Sequence, residues 1–174
     1  MRCASLSVVV LAALLLGACG ATGESTKDLE TLQGDGFSIK MPGTPKRSSR
    51  TIQSGAGPVT LTSYVSDGSE QAFSIAFTEL PKAAKGDLVA ALRGAATSLG
   101  GTLTDERMTK YQGFDTRDAR ILGVKNNKGT EGTLFTRVIL TKDRLYELRF
   151  VVEGGDRTQP PDVYPQFRDS LKLA

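Results

Sequence analysis

Histidine and tryptophan are absent from this sequence, and its only two cysteines stand at positions 3 and 19. Without imidazole there is no Ser-His or Cys-His activation of a nucleophile, no histidine general base and no His-containing zinc site. With both thiols near the start there is no disulfide framework and no thiolate cluster for zinc or iron–sulfur, so no catalytic residue, metal or cofactor is expected. What remains are carboxylates and guanidinium groups: Asp105, Glu106, Asp115, Asp118, Glu131, Glu147 and Asp156, with Arg117, Arg120, Arg137 and Arg149. Two facing carboxylates can hydrolyse glycosides. Asp115 and Asp118, however, are interleaved with Arg117 and Arg120 on an expected strand. That pattern favours a solvated face with cross-strand ion pairs worth ~0.2–1 kcal/mol each, and makes a His-free carboxylate hydrolase the weakest reading.

Other polar clusters are equally plain. Neither Asp67-Gly68-Ser69-Glu70 nor Glu153-Gly154-Gly155-Asp156 has the ligand spacing of an EF-hand calcium loop. Gly94, Gly100 and Gly101 fall within or after an expected helix, not in a phosphate loop between a strand and a helix. Lys46, Arg47 and Arg50 would each contribute ~1 kcal/mol against anionic headgroups if juxtamembrane. An edge strand kept soluble by charge accounts for them better. Tyr64, Tyr111, Tyr146 and Tyr164 suit either a ligand cleft between sheet and helix or core packing. The formal charge of +3 is spread over both signs, with no basic run longer than Lys46-Arg47, so nucleic acid is not an expected partner.

Cys19 is the residue with a chemistry of its own. Arg2 supplies a positive start, and Leu6 to Ala18 is an uncharged run of mainly Leu, Val and Ala. That run is shorter than the ~20 residues a spanning helix needs, so it reads as an export signal. It ends in Leu16-Gly17-Ala18-Cys19, which resembles the lipobox of bacterial lipoprotein signal peptides. The resemblance implies cleavage between Ala18 and Cys19, diacylglycerol on the Cys19 sulfur and usually an acyl group, such as palmitate, on its new amino group. Two or three chains anchor stably where one holds only marginally, at ~0.8 kcal/mol per buried CH₂. Acylation would also account for an exported chain with one unpaired thiol, since Cys3 leaves with residues 1–18. The expected location is therefore outside the cytoplasm, anchored to a bacterial membrane, whether inner, outer or single. Residues 19–36 are small and polar without sustained periodicity and read as a flexible tether.

The elements that must position the remaining side chains follow from residue 37 onward, in one domain over 37–174. Phe37, Ile39 and Met41 alternate with polar residues and end at Pro42-Gly43 and Pro45, giving a short strand. Residues 46–54 make an exposed strand, 59–65 and 73–77 two half-buried ones, with a Ser66-Asp67-Gly68-Ser69 turn between the last two. The first four strands are expected to neighbour one another as a meander. Asp87 can cap a helix whose Leu88, Val89, Leu92, Ala95, Ala96 and Leu99 share a face, and Gly100-Gly101 ends it. Strands are expected over 103–111, 115–125, 130–140 and 144–152, the last three as an antiparallel meander. Val163, Phe167 and Leu171 mark a short closing helix with Pro165 in its first turn.

Strands and helices in this order predict an α+β fold, a twisted antiparallel sheet with helices packed on it. Phe37-Ser38-Ile39 with Met41-Pro42-Gly43 and Pro45, the central helix, Gly113-Phe114-Asp115, Arg144-Leu145-Tyr146-Glu147-Leu148 and the closing Phe167 to Lys172 resemble the PsbP/Mog1-like domains of many bacterial lipoproteins. The resemblance implies an α/β/α sandwich and a non-enzymatic accessory or binding role. The expected function is thus a membrane-anchored exported lipoprotein whose domain binds an envelope partner, in contact with the bilayer through acylated Cys19. The alternative is a carrier or chaperone of an apolar, lipid-like ligand in a cleft under the central helix.

Overall fold

Short alternating segments closed by turns of two to five residues pair with their sequence neighbours, and the described residues are built largely from such pairs. The computed structural model describes residues 28–54, 57–81, 87–126 and 129–174. Strands β3 (Lys46–Ser54), β4 (Gly57–Asp67) and β5 (Gln71–Glu79) form one antiparallel meander. Strands β6 (Thr102–Tyr111), β7 (Phe114–Lys125), β8 (Glu131–Leu140) and β9 (Arg144–Glu153) form a second. β5 pairs with β9, which fuses the two into a seven-stranded sheet of order β3-β4-β5-β9-β8-β7-β6.

Helix α1 (Leu88–Ser98) lies in the chain between β5, third in the sheet, and β6 at its far edge. Asp87 caps it, its Oδ1 accepting from the N–H groups of Val89 and Ala90 at 2.9 and 3.1 Å. Gly100 and Gly101 donate to the carbonyls of Thr97 and Ala96 and close its other end. Its buried face, Leu88, Ala91, Leu92, Ala95 and Ala96, lies on β6, β7 and β8. The alanines let the helix approach the sheet closely, against Ala119, Ile121, Leu134 and Val138.

The opposite face of the large sheet is covered by a second sheet, β1 (Leu29–Gly34), β2 (Phe37–Pro42) and β10 (Lys172–Leu173), beside a seven-residue helix α2 (Val163–Asp169). Phe37, Ile39 and Met41 of β2 point into an aromatic core with Phe73, Phe77, Phe135, Tyr146 and Phe150 of the large sheet. Phe167 and Leu171 complete it from the chain's last segment. Ring pairs there meet edge-on or tilted, Phe37 with Tyr64 at 5.7 Å and Phe73 with Phe167 at 5.4 Å between centroids, the geometry that aromatic quadrupoles favour.

Two expectations are corrected. The fold is not an α+β or PsbP/Mog1-like α/β/α sandwich: ten antiparallel strands in sheets of three and seven dominate the described residues, with two short helices beside them. The layer opposite α1 is mainly a sheet, because β2 does not join the β3–β5 meander. Pro42-Gly43 and Pro45 let the chain leave the plane, and β2 pairs instead with β1 and β10. The tether expected over 19–36 is also too long, because Leu29–Gly34 is β1, paired with β2 over six residues. Asp35-Gly36 is the hairpin turn, with Gly36 at φ +78° where a β-carbon would be strained. A side chain on Gly34 would collide with the Phe37 ring, the nearest atom lying 2.1 Å from its Cβ position.

Candidate functional site

Charged side chains in this fold are drawn to the two faces of the large sheet, and the pairing of strands decides which of them meet. β7 and β8 run antiparallel with Asp118 opposite Arg137. Arg137 donates from Nε and Nη2 to the two carboxylate oxygens of Asp118 at 2.7 and 2.8 Å, and from Nη1 to Asp169 at 3.2 Å. Its side chain is only 7% exposed and its guanidinium lies 4.7 Å from the centroid of the Tyr111 ring. Burial works against the Arg137 charge, but the bidentate bond to Asp118 outweighs it and holds the group above its ordinary value.

Asp169, at the end of α2, also accepts from Nε and Nη2 of Arg168, both at 2.7 Å. That bond holds its carboxyl below the usual range, helped by Arg137 and opposed by partial burial. Arg168 in turn stacks on Tyr164, 5.5 Å from its centroid, and burial pushes the Tyr164 hydroxyl well above its ordinary value. The network therefore pins α2 to the large sheet. Tyr111 adds to this, donating from its hydroxyl to the Leu171 carbonyl at 2.6 Å.

On the α1 face, Glu147 and Arg149 form a bidentate pair at 2.7 Å for both bonds. They share the α1-facing side of β9 with Leu145 and Val151, and both are buried, at 7% and 3%. The polar positions of this strand therefore form a dry ion pair. Asp105 pairs with Arg120 at 2.5 Å, Glu106 with Arg117, Asp115 with Lys110 at 2.5 Å and Glu131 with Lys125 at 3.4 Å. Asp115, Asp118, Arg117 and Arg120 thus do enter cross-strand pairs, as their interleaving indicates. Each pairs with an opposite charge, so Asp115 and Asp118 do not face one another as a carboxylate pair.

A shallow cleft of about 240 Å³ opens at one end of the molecule, lined by Phe114, Lys142, Asp143, Arg144, Tyr146 and Leu173 among others. Arg144 is already committed there, donating to the Asp35 carbonyl at 2.6 Å, to Glu79 at 3.2 Å and to the Tyr146 hydroxyl at 3.4 Å. The Tyr146 bond holds its charge well above the ordinary value. The other tyrosines do not form a cleft under α1: Tyr64 and Tyr164 are core residues on the opposite face. Asp67, beside the β4–β5 turn, has its carboxyl pushed up by burial, with Lys46 pulling the other way. Among the described residues no three His, Cys, Asp or Glu side chains come together as metal ligands, and no helix is long and apolar enough to cross a membrane.

Ala18 and Cys19, the expected cleavage and lipidation residues, lie outside the described residues, as does the whole of 1–27. Sequence reasoning passed over Arg168, Asp169 and Arg144. The adjacent Arg168-Asp169 pair after the buried Phe167 was the available signal for the first two. Arg144 had none, because its partners Asp35 and Glu79 are distant in sequence. No protein-family model matches this chain, and no curated protein is similar to it.

Proposed function

We propose that the chain is an exported lipoprotein, cleaved before Cys19 and held at a bacterial membrane by acyl chains on that residue. Its β-rich domain acts as a non-catalytic binding or accessory module for an envelope partner. The Leu16-Gly17-Ala18-Cys19 sequence behind Arg2 and an uncharged apolar run carries the attachment. The pairing of charges supports binding over catalysis: Asp118 and Glu147 spend both carboxylate oxygens on guanidinium nitrogens, leaving no oxygen aimed at a reacting atom. A carrier would need a hollow under α1. Leu92, Ala95 and Ala96 fill that space against Ile121, Leu134 and Val138, which favours a surface-binding module over a lipid carrier.

Replacing Cys19 by Ala tests the attachment. The wild-type chain should sediment with membranes and carry the added mass of its acyl groups; the Cys19→Ala chain should remain an uncleaved precursor without that mass. Unchanged mass and processing would refute lipidation. Crosslinking in native membranes tests the binding role, where recovery of bulk lipid alone would count against an envelope protein partner.

A further inference from the structure

β3 ends the seven-stranded sheet on one side, and among the described residues no strand lies beside its outer edge. Nine residues, Lys46 to Ser54, pair with β4 without any shift in register. Exposed edges of this length are usually blunted by a bulge, a proline, brevity or charged side chains, and charge deters like-charged edges while leaving the backbone groups open to a strand of opposite charge. The other end of the same sheet is blunted: β6 is interrupted between Thr104 and Arg107, where Asp105 adopts φ +49°. β3 has neither a bulge nor a proline. Pro58 of β4, opposite Gln53, has no N–H to give, which places that pair at a non-hydrogen-bonded position of the ladder. By alternation Arg47, Ser49, Thr51 and Gln53 aim their amide and carbonyl groups outward, a template for one more strand.

The side chains along that template carry one sign of charge. Lys46, Arg47 and Arg50 are exposed and β3 contains no acid, while β4 contributes only Asp67 at its far end. Arg47 is steadied by donating to the Tyr64 hydroxyl at 3.3 Å. Lys46 and Arg50 lie on the α1 side of the strand, opposite Val65 and Leu61, and Arg47 on the other side, opposite Tyr64. A second copy of β3 laid antiparallel on this edge would bring cations against cations, which is unfavourable.

Building on the binding-module reading above, we infer that β3 is the docking edge, and that it adds an extended acidic segment of a partner protein as an eighth, antiparallel strand. Main-chain bonds would supply affinity, and charge would supply register. An antiparallel strand places residue j opposite Arg50, j+3 opposite Arg47 and j+4 opposite Lys46. The favoured ligand therefore carries Asp or Glu at j, j+3 and j+4.

The test is peptide binding by the full chain in detergent, followed by fluorescence anisotropy and by amide exchange at β3. A peptide of extended propensity with glutamates at j, j+3 and j+4 should bind and slow exchange at Arg47, Ser49 and Thr51. The same composition scrambled out of that spacing should bind about tenfold more weakly, and a lysine version not at all. Ser49→Pro removes an outward N–H without taking a bond from β4 and should weaken binding at least about tenfold. Lys46→Glu with Arg50→Glu, two exposed substitutions that test the idea even if the proline variant does not fold, should switch preference to the lysine peptide.

Equal binding of the glutamate and scrambled peptides, or binding unchanged in both variants, would overturn the proposal. So would selective binding to anionic over zwitterionic vesicles without peptide binding, or self-association that Ser49→Pro abolishes. Because Cys19→Ala leaves β3 intact, peptide binding by that variant separates this proposal from the attachment. A partner crosslinked in membranes without peptide binding would sink the edge proposal alone.

Discussion

The face of the large sheet turned toward β1, β2 and β10 is sealed by rings, whereas the face turned toward α1 is sealed by alanine, leucine and valine around a buried ion pair. On the ring side, Phe73, Phe150 and Phe167 are almost fully buried and meet one another at 4.8 and 5.4 Å. On the helix side, α1 contributes three alanines and two leucines, and Glu147–Arg149 lies on the same face of the sheet. Large rings gain area and quadrupole contacts together. A dry ion pair gains little net stability, because desolvation offsets the attraction, yet removing one partner leaves an uncompensated charge. The two faces should therefore fail in different ways.

Phe150→Ala should break the ring face most severely, costing roughly 4 kcal/mol through lost burial and the cavity left behind. Urea unfolding monitored by circular dichroism measures this; a loss below about 1 kcal/mol would mean the rings are not the main seal. On the helix face, Glu147→Gln should cost roughly 3 kcal/mol, by stranding the Arg149 charge. The double change Glu147→Leu with Arg149→Met should recover most of that loss. If the double variant is as unstable as the single one, the pair supports α1 by more than mutual compensation. Asp87→Ala removes the cap of α1 and should cost about 1 kcal/mol, visible as faster amide exchange in the helix.

The smallest effect separates the faces by pH. Asp169 pins α2 on the ring side, and its carboxyl is held below the usual range by Arg168. It therefore adds stability that is fully present above the ordinary carboxylate value near ~3.9 and is lost as pH falls through its lowered folded value. Asp169→Asn should flatten the acid limb of the stability curve below about pH 4 and leave α1 amide exchange unchanged. A change confined to α1 would assign the acid sensitivity to the other face.

Much of the strand order was legible because it is local. The alternation of Phe73, Ile75 and Phe77, and the Ser66-Asp67-Gly68-Ser69 turn before them, specify a hairpin between sequence neighbours. Asp87 and the α1 stripe did the same for the helix. The β1 strand was missed although Asp35-Gly36 is a hairpin dipeptide: Leu29 and Leu32 are three apart, so β1 shows no period of two. It is held largely by backbone pairing and by the Phe37 ring lying across Gly34. Glu147 and Arg149 stand opposite Tyr146, Leu148, Phe150 and Val152, but alternation identifies the two faces of a strand and not whether both are covered.

Residue types and near-neighbour spacing, by themselves, determined the missing imidazole chemistry, the lipobox resemblance of Leu16-Gly17-Ala18-Cys19, most of the strands and the helix with its cap. Those properties depend on bonds and periodicities within a few residues. Tertiary structure alone decided that β2 leaves the first meander for a second sheet and that β9 joins β5. It also decided that Arg137 reaches both Asp118 and Asp169, and that β3 ends the large sheet among the described residues. Each of these is a meeting of segments far apart in sequence. Such meetings are fixed by which surfaces can be buried together, and a pattern read within one segment does not contain its partner.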